Sequence, residues 1–164
     1  MDNGIQVRTA RLADAEAIYA LIREHTAELV PRSLGNVVEN IDRFLVAEVS
    51  DGGLAGCISY QIWPEIGDPL KATVELQSVA VRSSCRRKGI GSLLVKGAIE
   101  RVLVLAPAEV TVLTLTPEFF STLGFREIPK TRIMHKLYTG CINCTKHTDP
   151  FTCPERAMAL EMPG

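Results

Sequence analysis

Residues 71–94 read KATVELQSVAVRSSCRRKGIGSLL: a strand-like run, a basic stretch, two glycines, and at once a helical apolar pattern. The first part alternates. Thr73, Glu75, Gln77, Val79 and Val81 share one face, and Val74, Leu76, Ser78 and Ala80 share the other. The last part has helical spacing, with Ile90, Leu93, Leu94, Ala98 and Val102 as its buried stripe. A strand that runs through a glycine loop into a helix leaves few architectures open. It also creates a site. A helix start carries unpaired N–H groups and the positive end of the helix dipole. Glycine removes the side chains that would keep a ligand off that backbone. Arg86, Arg87 and Lys88 add charge at the same place, so a bound anion such as a pyrophosphate is expected there.

Two common phosphate loops are excluded. A Walker loop needs Gly-Lys-Ser/Thr, and a dinucleotide fingerprint needs a third glycine where this chain has Leu94. A solvated basic turn is the competing reading. The strand–loop–helix context favours the anion.

The rest of the chain suggests mixed α and β elements around one sheet. IQVRTA (5–10) reads as a strand, and Asp14 as the cap of a helix carrying Ile18, Leu21, Ile22 and Leu29. Pro31 must break that helix, and SLGNVVENI starts a second, short one. FLVAEV and GCISYQIW flank the turn DGG as a hairpin. VTVLTL is a strand, and PEFFSTLGF is a helix begun by Pro117 and stopped at Gly124. RIMHKLY (132–138) and AMALEM (157–162) are expected as final strands.

Composition limits the partners. The 164 residues suit one domain, residues 1–164, with a sizeable core. The formal net charge is −1, which argues against nucleic acid or a membrane surface as the target of the basic cluster. No stretch reaches transmembrane length and MDNGIQVRTA is not signal-like, so a cytoplasmic location is the expectation.

The segment SVAVRSSCRRKGIGSLL, continued in PEFFSTLGF, resembles the acetyl-CoA loop of the GNAT acetyltransferases. The resemblance implies an α+β fold with a central mixed, mostly antiparallel sheet flanked by helices. It implies acetyl-CoA as co-substrate. Val79, Ala80 and Val81 would pair with the pantetheine arm, and Arg86, Arg87, Lys88, Gly89, Ile90, Gly91 and Ser92 would hold the pyrophosphate. LVPRSLGNVVENIDRFLVAE, VELQSVAV, VLTLTPEFFSTLGF and HKLYTGCINC further resemble the short, stand-alone N-acetylglutamate synthase type. That likeness implies acetyl transfer to the α-amine of L-glutamate at the head of arginine biosynthesis, and allows a homodimer.

Acetyl transfer needs a base, because an α-ammonium is largely protonated at neutral pH. Glu75, on the strand before the loop, is the candidate, with a surface pair to a cation as the competing reading. Arg32 and Ser33 match the family's substrate-side "RS" motif, and Lys136 its "HK" pair. These cations would meet the two carboxylates of glutamate. Phe120 stands where many GNAT enzymes carry a general-acid tyrosine, so the departing thiol's own acidity, water or another group must serve in its place. Pro117 and Glu118 stand near the place of an arginine in long-form synthases. Cys141, Cys144 and Cys153 with His147 would make a Cys3His zinc set, against a reduced or redox-active loop. Cys57 and Cys85 read as small apolar fillers, and His25 as structural. Three other functions stay open: a GNAT enzyme for another amine or a protein N-terminus, a non-catalytic acyl-CoA-binding regulator, and a metal-sensing module.

Overall fold

The computed structural model describes residues 4–133, 136, 149, 151 and 153–162. In chain order the elements are β1 (Ile5–Thr9), α1 (Ala15–Glu24), α2 (Leu34–Glu39), β2 (Phe44–Val49), β3 (Leu54–Glu65), β4 (Asp68–Val81), α3 (Ile90–Leu103), β5 (Glu109–Thr114), α4 (Pro117–Ser121), β6 (Arg126–Glu127) and β7 (Arg156–Glu161). The strand order is β1-β2-β3-β4-β5-β7-β6. The β4–β5 ladder is parallel, while β1–β2, β2–β3, β5–β7 and β6–β7 are antiparallel. This is the mixed, mostly antiparallel sheet of an α+β fold. No described helix is long and apolar enough to cross a membrane. The chain divides into two compact units, Met1–Tyr60 with Gln77–Arg101, and Gln61–Leu76 with Val102–Gly164.

In the first unit, β2 is buried on both faces, and its alternation sorts the helices. Phe44 and Val46 pack into a core with Ile18, Leu21 and Ile22 of α1 and Val37 of α2. Leu45 points the other way, where its Cδ2 would lie 3.7 Å from a Cβ built on Gly97 of α3. The same Cβ would meet Val7 Cγ1 at 2.9 Å, so α3 lies close on β1 because Gly97 has no side chain. Each fully buried Ile, Phe or Val here contributes about 2 kcal/mol of transfer free energy.

Three expectations change. Asp14 does not cap α1 through its side chain. Its carboxylate accepts from Arg11 N–H at 2.7 Å and from the Arg8 guanidinium at 2.8 and 3.0 Å. Helix α1 stops at Glu24 and does not run on to Leu29. His25 N–H bonds Ile22 O, and Leu29 N–H bonds His25 O at 2.8 Å, so a turn carries Leu29 back onto the core. Leu93, counted in the α3 stripe, is 41% exposed, while Ile90, Leu94, Ala98 and Val102 are buried.

In the second unit, β5 is the central strand. It pairs with β4 through Val74↔Val110, Glu75↔Thr111 and Leu76↔Val112. On its other side it pairs with β7 from Glu109↔Glu161 to Thr114↔Arg156. Pro117 opens α4, and Gly124, at φ +93°, follows its end. Residues Lys130–Ile133 form a 3-10 turn where the sequence pattern suggests the start of a strand. Pro129 supplies the reason: its carbonyl accepts Arg132 N–H at 3.0 Å and closes the turn. The Arg132 side chain then bonds Glu109 at 2.7 Å. The rest of the expected strand, apart from Lys136, lies outside the described residues.

Candidate active site

Strand β4 is irregular where the sequence pattern reads as most regular. Ser78 has φ +53°, a left-handed conformation rare for a residue with a Cβ. The consequence is visible in Arg32. Its Nε donates to Ser78 Oγ at 2.9 Å and its Nη2 donates to Gln77 Oε1 at 2.7 Å. Sequence neighbours in a regular strand point to opposite faces. Here both reach one guanidinium, which marks a bulge. The expected grouping of Gln77 with Val79 and Val81 on one face therefore fails, because the alternation does not run through Ser78.

The Arg32 fork is fixed further by Asn36 Oδ1 at 2.7 Å and Ser59 Oγ at 3.3 Å. Its guanidinium carbon lies 5.4 Å from the centre of the Phe44 ring, a cation–π distance. From β3, Cys57 Sγ donates to Ser78 O at 3.5 Å and Ser59 Oγ donates to Gln77 O at 3.3 Å. Burial pushes the Cys57 thiol up to about 12. Ser33, expected beside Arg32 as a substrate group, caps α2, its Oγ accepting Asn36 N–H at 3.0 Å.

Beyond the bulge, Ala80 is buried, while Val79 and Val81 are half-buried. The chain leaves β4 through Arg82, whose N–H bonds Ala55 O at 2.7 Å, and a 3-10 turn, Ser83–Cys85. Arg86, Arg87, Lys88 and Gly89 follow, all exposed, and Ile90 opens α3. Arg87 and Gly89 take positive φ, +66° and +75°. A Cβ built on Gly89 meets no protein atom within 4 Å. The space above this backbone is open, as an anion seat requires. Leu93 N–H bonds Gly89 O at 3.1 Å, so the N–H groups of Ile90, Gly91 and Ser92 precede that bond in the first turn. The loop therefore offers open backbone N–H groups beside exposed cationic side chains, an arrangement that can seat an anion.

His25 joins this loop to the strand. Its ring is 6% exposed. Nε2 lies 2.9 Å from Val81 O, and Nδ1 lies 3.1 Å from Arg86 Nη2. No motif in the sequence marks this bridge.

In the second unit, Glu75 and Lys136 form an ion pair. Lys136 Nζ lies 3.3 Å from Glu75 Oε2, with the side chains 15% and 3% exposed. Sequence reading assigns these residues separate roles, as base and as substrate cation, and the structure brings them together. Phe120 is a core residue. Its ring meets Phe119 and Phe125 edge-on, with centroids 5.0 and 5.4 Å away. Cys153 is a free, partly buried thiol, while Cys141, Cys144 and His147 lie outside the described residues.

Comparison with known proteins bears on the family and the fold. Residues 40–127 match the model of the acetyltransferase (GNAT) domain. An uncharacterized N-acetyltransferase of Chlorobaculum tepidum, CT2212, is 36% identical over 154 residues, covering 93% of both chains. Among solved structures, Rv2747 from Mycobacterium tuberculosis, in complex with CoA and NLQ, superposes with a TM-score of 0.79 at 25% identity. That match covers 96% of this chain and 99% of the other. N-acetylglutamate synthase from Neisseria gonorrhoeae, complexed with coenzyme A and N-acetyl-glutamate, has a TM-score of 0.78 at 22% identity. It covers 98% of this chain and 35% of that longer one, a likeness of fold.

Proposed function

Since the chain belongs to the GNAT acetyltransferase family and uses acetyl-CoA, we propose that its acceptor is an α-amino acid, L-glutamate, acetylated on its α-amine. The observation that carries this reading is the Glu75–Lys136 pair. An α-amino acid holds an ammonium and a carboxylate on one carbon. A carboxylate and an ammonium 3.3 Å apart present the complementary charges in reverse order. In this reading Glu75 takes the proton from the substrate ammonium, directly or through a water, and Lys136 turns to the α-carboxylate. Acetyl-CoA supplies the thioester carbonyl. The freed amine nitrogen bonds to that carbon, the carbon–sulfur bond breaks, the nitrogen releases its second proton to solvent as the amide forms, and the thiolate takes a proton from solvent, since Phe120 has none to give.

Arg32 is assigned to the side-chain carboxylate. Its motif resembles the synthases' substrate-side pair; its bonds to Ser78, Asn36, Ser59 and Gln77 already use four of the five guanidinium N–H donors, so a bound carboxylate would take over part of that set. The loop 86–92 and the end of β4 are assigned to the pyrophosphate and pantetheine of acetyl-CoA. Glutamate, and with it a place at the head of arginine biosynthesis, draws support from the synthase-like fold and motifs.

The test is an acceptor panel read by CoA release: glutamate, glutamine, alanine and a diamine without a carboxylate. Glutamate should exceed glutamine in kcat/KM by about tenfold or more, because an amide cannot give a cation the charge-assisted hydrogen bond that a carboxylate gives. The diamine should be inert. Equal efficiency on glutamate and glutamine would reject glutamate and leave the α-amino acid. Preference for the diamine would reject both.

A further inference from the structure

The bridge made by His25 has no assigned task. The imidazole sits just past the end of α1, yet its two nitrogens contact the last residue of β4 and the first arginine of the loop. A carbonyl only accepts, so Nε2 donates to Val81 O. An Arg N–H only donates, so Nδ1 accepts from Arg86. One protonation state satisfies both bonds: the neutral ring with its proton on Nε2.

Arg86 is otherwise an exposed side chain beside a glycine turn. A free arginine there would lose rotamer freedom whenever an anion bound. Tying Nη2 to a buried ring removes part of that cost beforehand and leaves four of the five guanidinium N–H donors for other groups. The same ring holds Val81 O, at the edge where the strand gives way to the loop.

We propose that His25 is a positioning residue for acetyl-CoA: it holds Arg86 and the end of β4 in the geometry that receives the cofactor's phosphates. This rests on the assignment of loop 86–92 to the pyrophosphate.

The test is a double-mutant cycle on acetyl-CoA affinity by calorimetry, using the full chain. Arg86→Ala should weaken acetyl-CoA, and His25→Ala should weaken it about tenfold. The double variant should lose less than the sum of the two singles, because His25 acts in part through Arg86. His25→Asn, whose Oδ1 can still accept from Arg86, should recover part of the loss. The acceptor KM should not move in either His25 variant. If Arg86→Ala weakens acetyl-CoA while a folded His25→Ala does not, the positioning role is overturned and the loop assignment stands. Arg86→Ala with unchanged affinity would overturn the loop assignment and the inference with it. A His25→Ala loss that adds in full to that of Arg86→Ala would show a merely structural histidine.

Discussion

Lys136 Nζ stands 3.3 Å from Glu75 Oε2, and the carboxylate it meets is 3% exposed. A buried pair of this kind is costly to split, because the remaining charge keeps its desolvation penalty. Lys136→Met should therefore destabilise the fold by about 3 kcal/mol, and adding Glu75→Gln should restore much of the loss. Urea unfolding of the two singles and the double measures this. Kinetically, Glu75→Gln should lower kcat by about 10²–10⁴-fold with the acetyl-CoA KM unchanged. Lys136→Met should act on the acceptor KM. Wild-type turnover in Glu75→Gln at neutral pH would move the base elsewhere.

Gly89 separates backbone from side-chain effects. Its φ is +75°, and an added Cβ meets nothing within 4 Å. Gly89→Ala thus introduces no clash inside the protein, only the left-handed penalty of about 1–2 kcal/mol. A modest drop in Tm is expected, together with a rise of about tenfold in the acetyl-CoA KM and an unchanged acceptor KM. An unaltered acetyl-CoA KM would show that no ligand approaches this backbone.

Asp14 gives the fold a pH dependence with a definite sign. The Arg8 guanidinium, hydrogen-bonded to it, holds its carboxyl below the usual carboxylate value, and the Arg11 N–H adds to this against a burial cost. A depressed folded value means the stabilisation is present above about pH 4 and lost as pH falls through the folded value. Asp14→Asn should cost about 1 kcal/mol at pH 7, and the difference from wild type should shrink below pH 4. Denaturant unfolding at pH 7 and pH 3 checks it. A constant difference at both pH values would falsify the assignment to ionisation.

Cys57 is buried and its thiol is raised to about 12. The thiolate is the reactive form, so iodoacetamide at pH 8 should leave the Cys57 peptide unmodified in the native protein and alkylate it in denaturant. Mass spectrometry reads the result, and rapid native modification would contradict it. The linkage sign is opposite to that of Asp14. Above its ordinary value of 9.0 the thiol ionises only when unfolded, so this residue's stabilisation falls as pH rises further.

The sequence made the scaffold legible where period and punctuation agreed. The stretch from β4 to α3 could be read because alternation, two glycines and helical spacing follow one another without a gap. Pro117 and Gly124 bounded α4 for the same reason, a residue of special backbone at each end. Leu29 misled because its helical spacing reflects burial, and a turn can deliver the same burial. Ser78 misled because serine carries no signal for positive φ. The partners of Arg32, the bridge through His25 and the pairing of Glu75 with Lys136 were illegible in principle. Each joins residues far apart in the chain, and each uses side chains that are ordinary at their own positions.

The left-handed Ser78 amounts to one residue too many in β4, and that surplus works like a frameshift. Straightening the strand at Ser78 with every residue kept would turn every position beyond it to the opposite side of the sheet. The first half of the strand would keep its burial, while Val79, Ala80 and Val81 would exchange inside for outside just before the glycine loop. Deleting the serine instead removes the surplus and leaves those positions on the sides they now occupy. A chain shortened by one serine should thus still deliver its loop to the same side, whereas one that merely lost the left-handed turn would not.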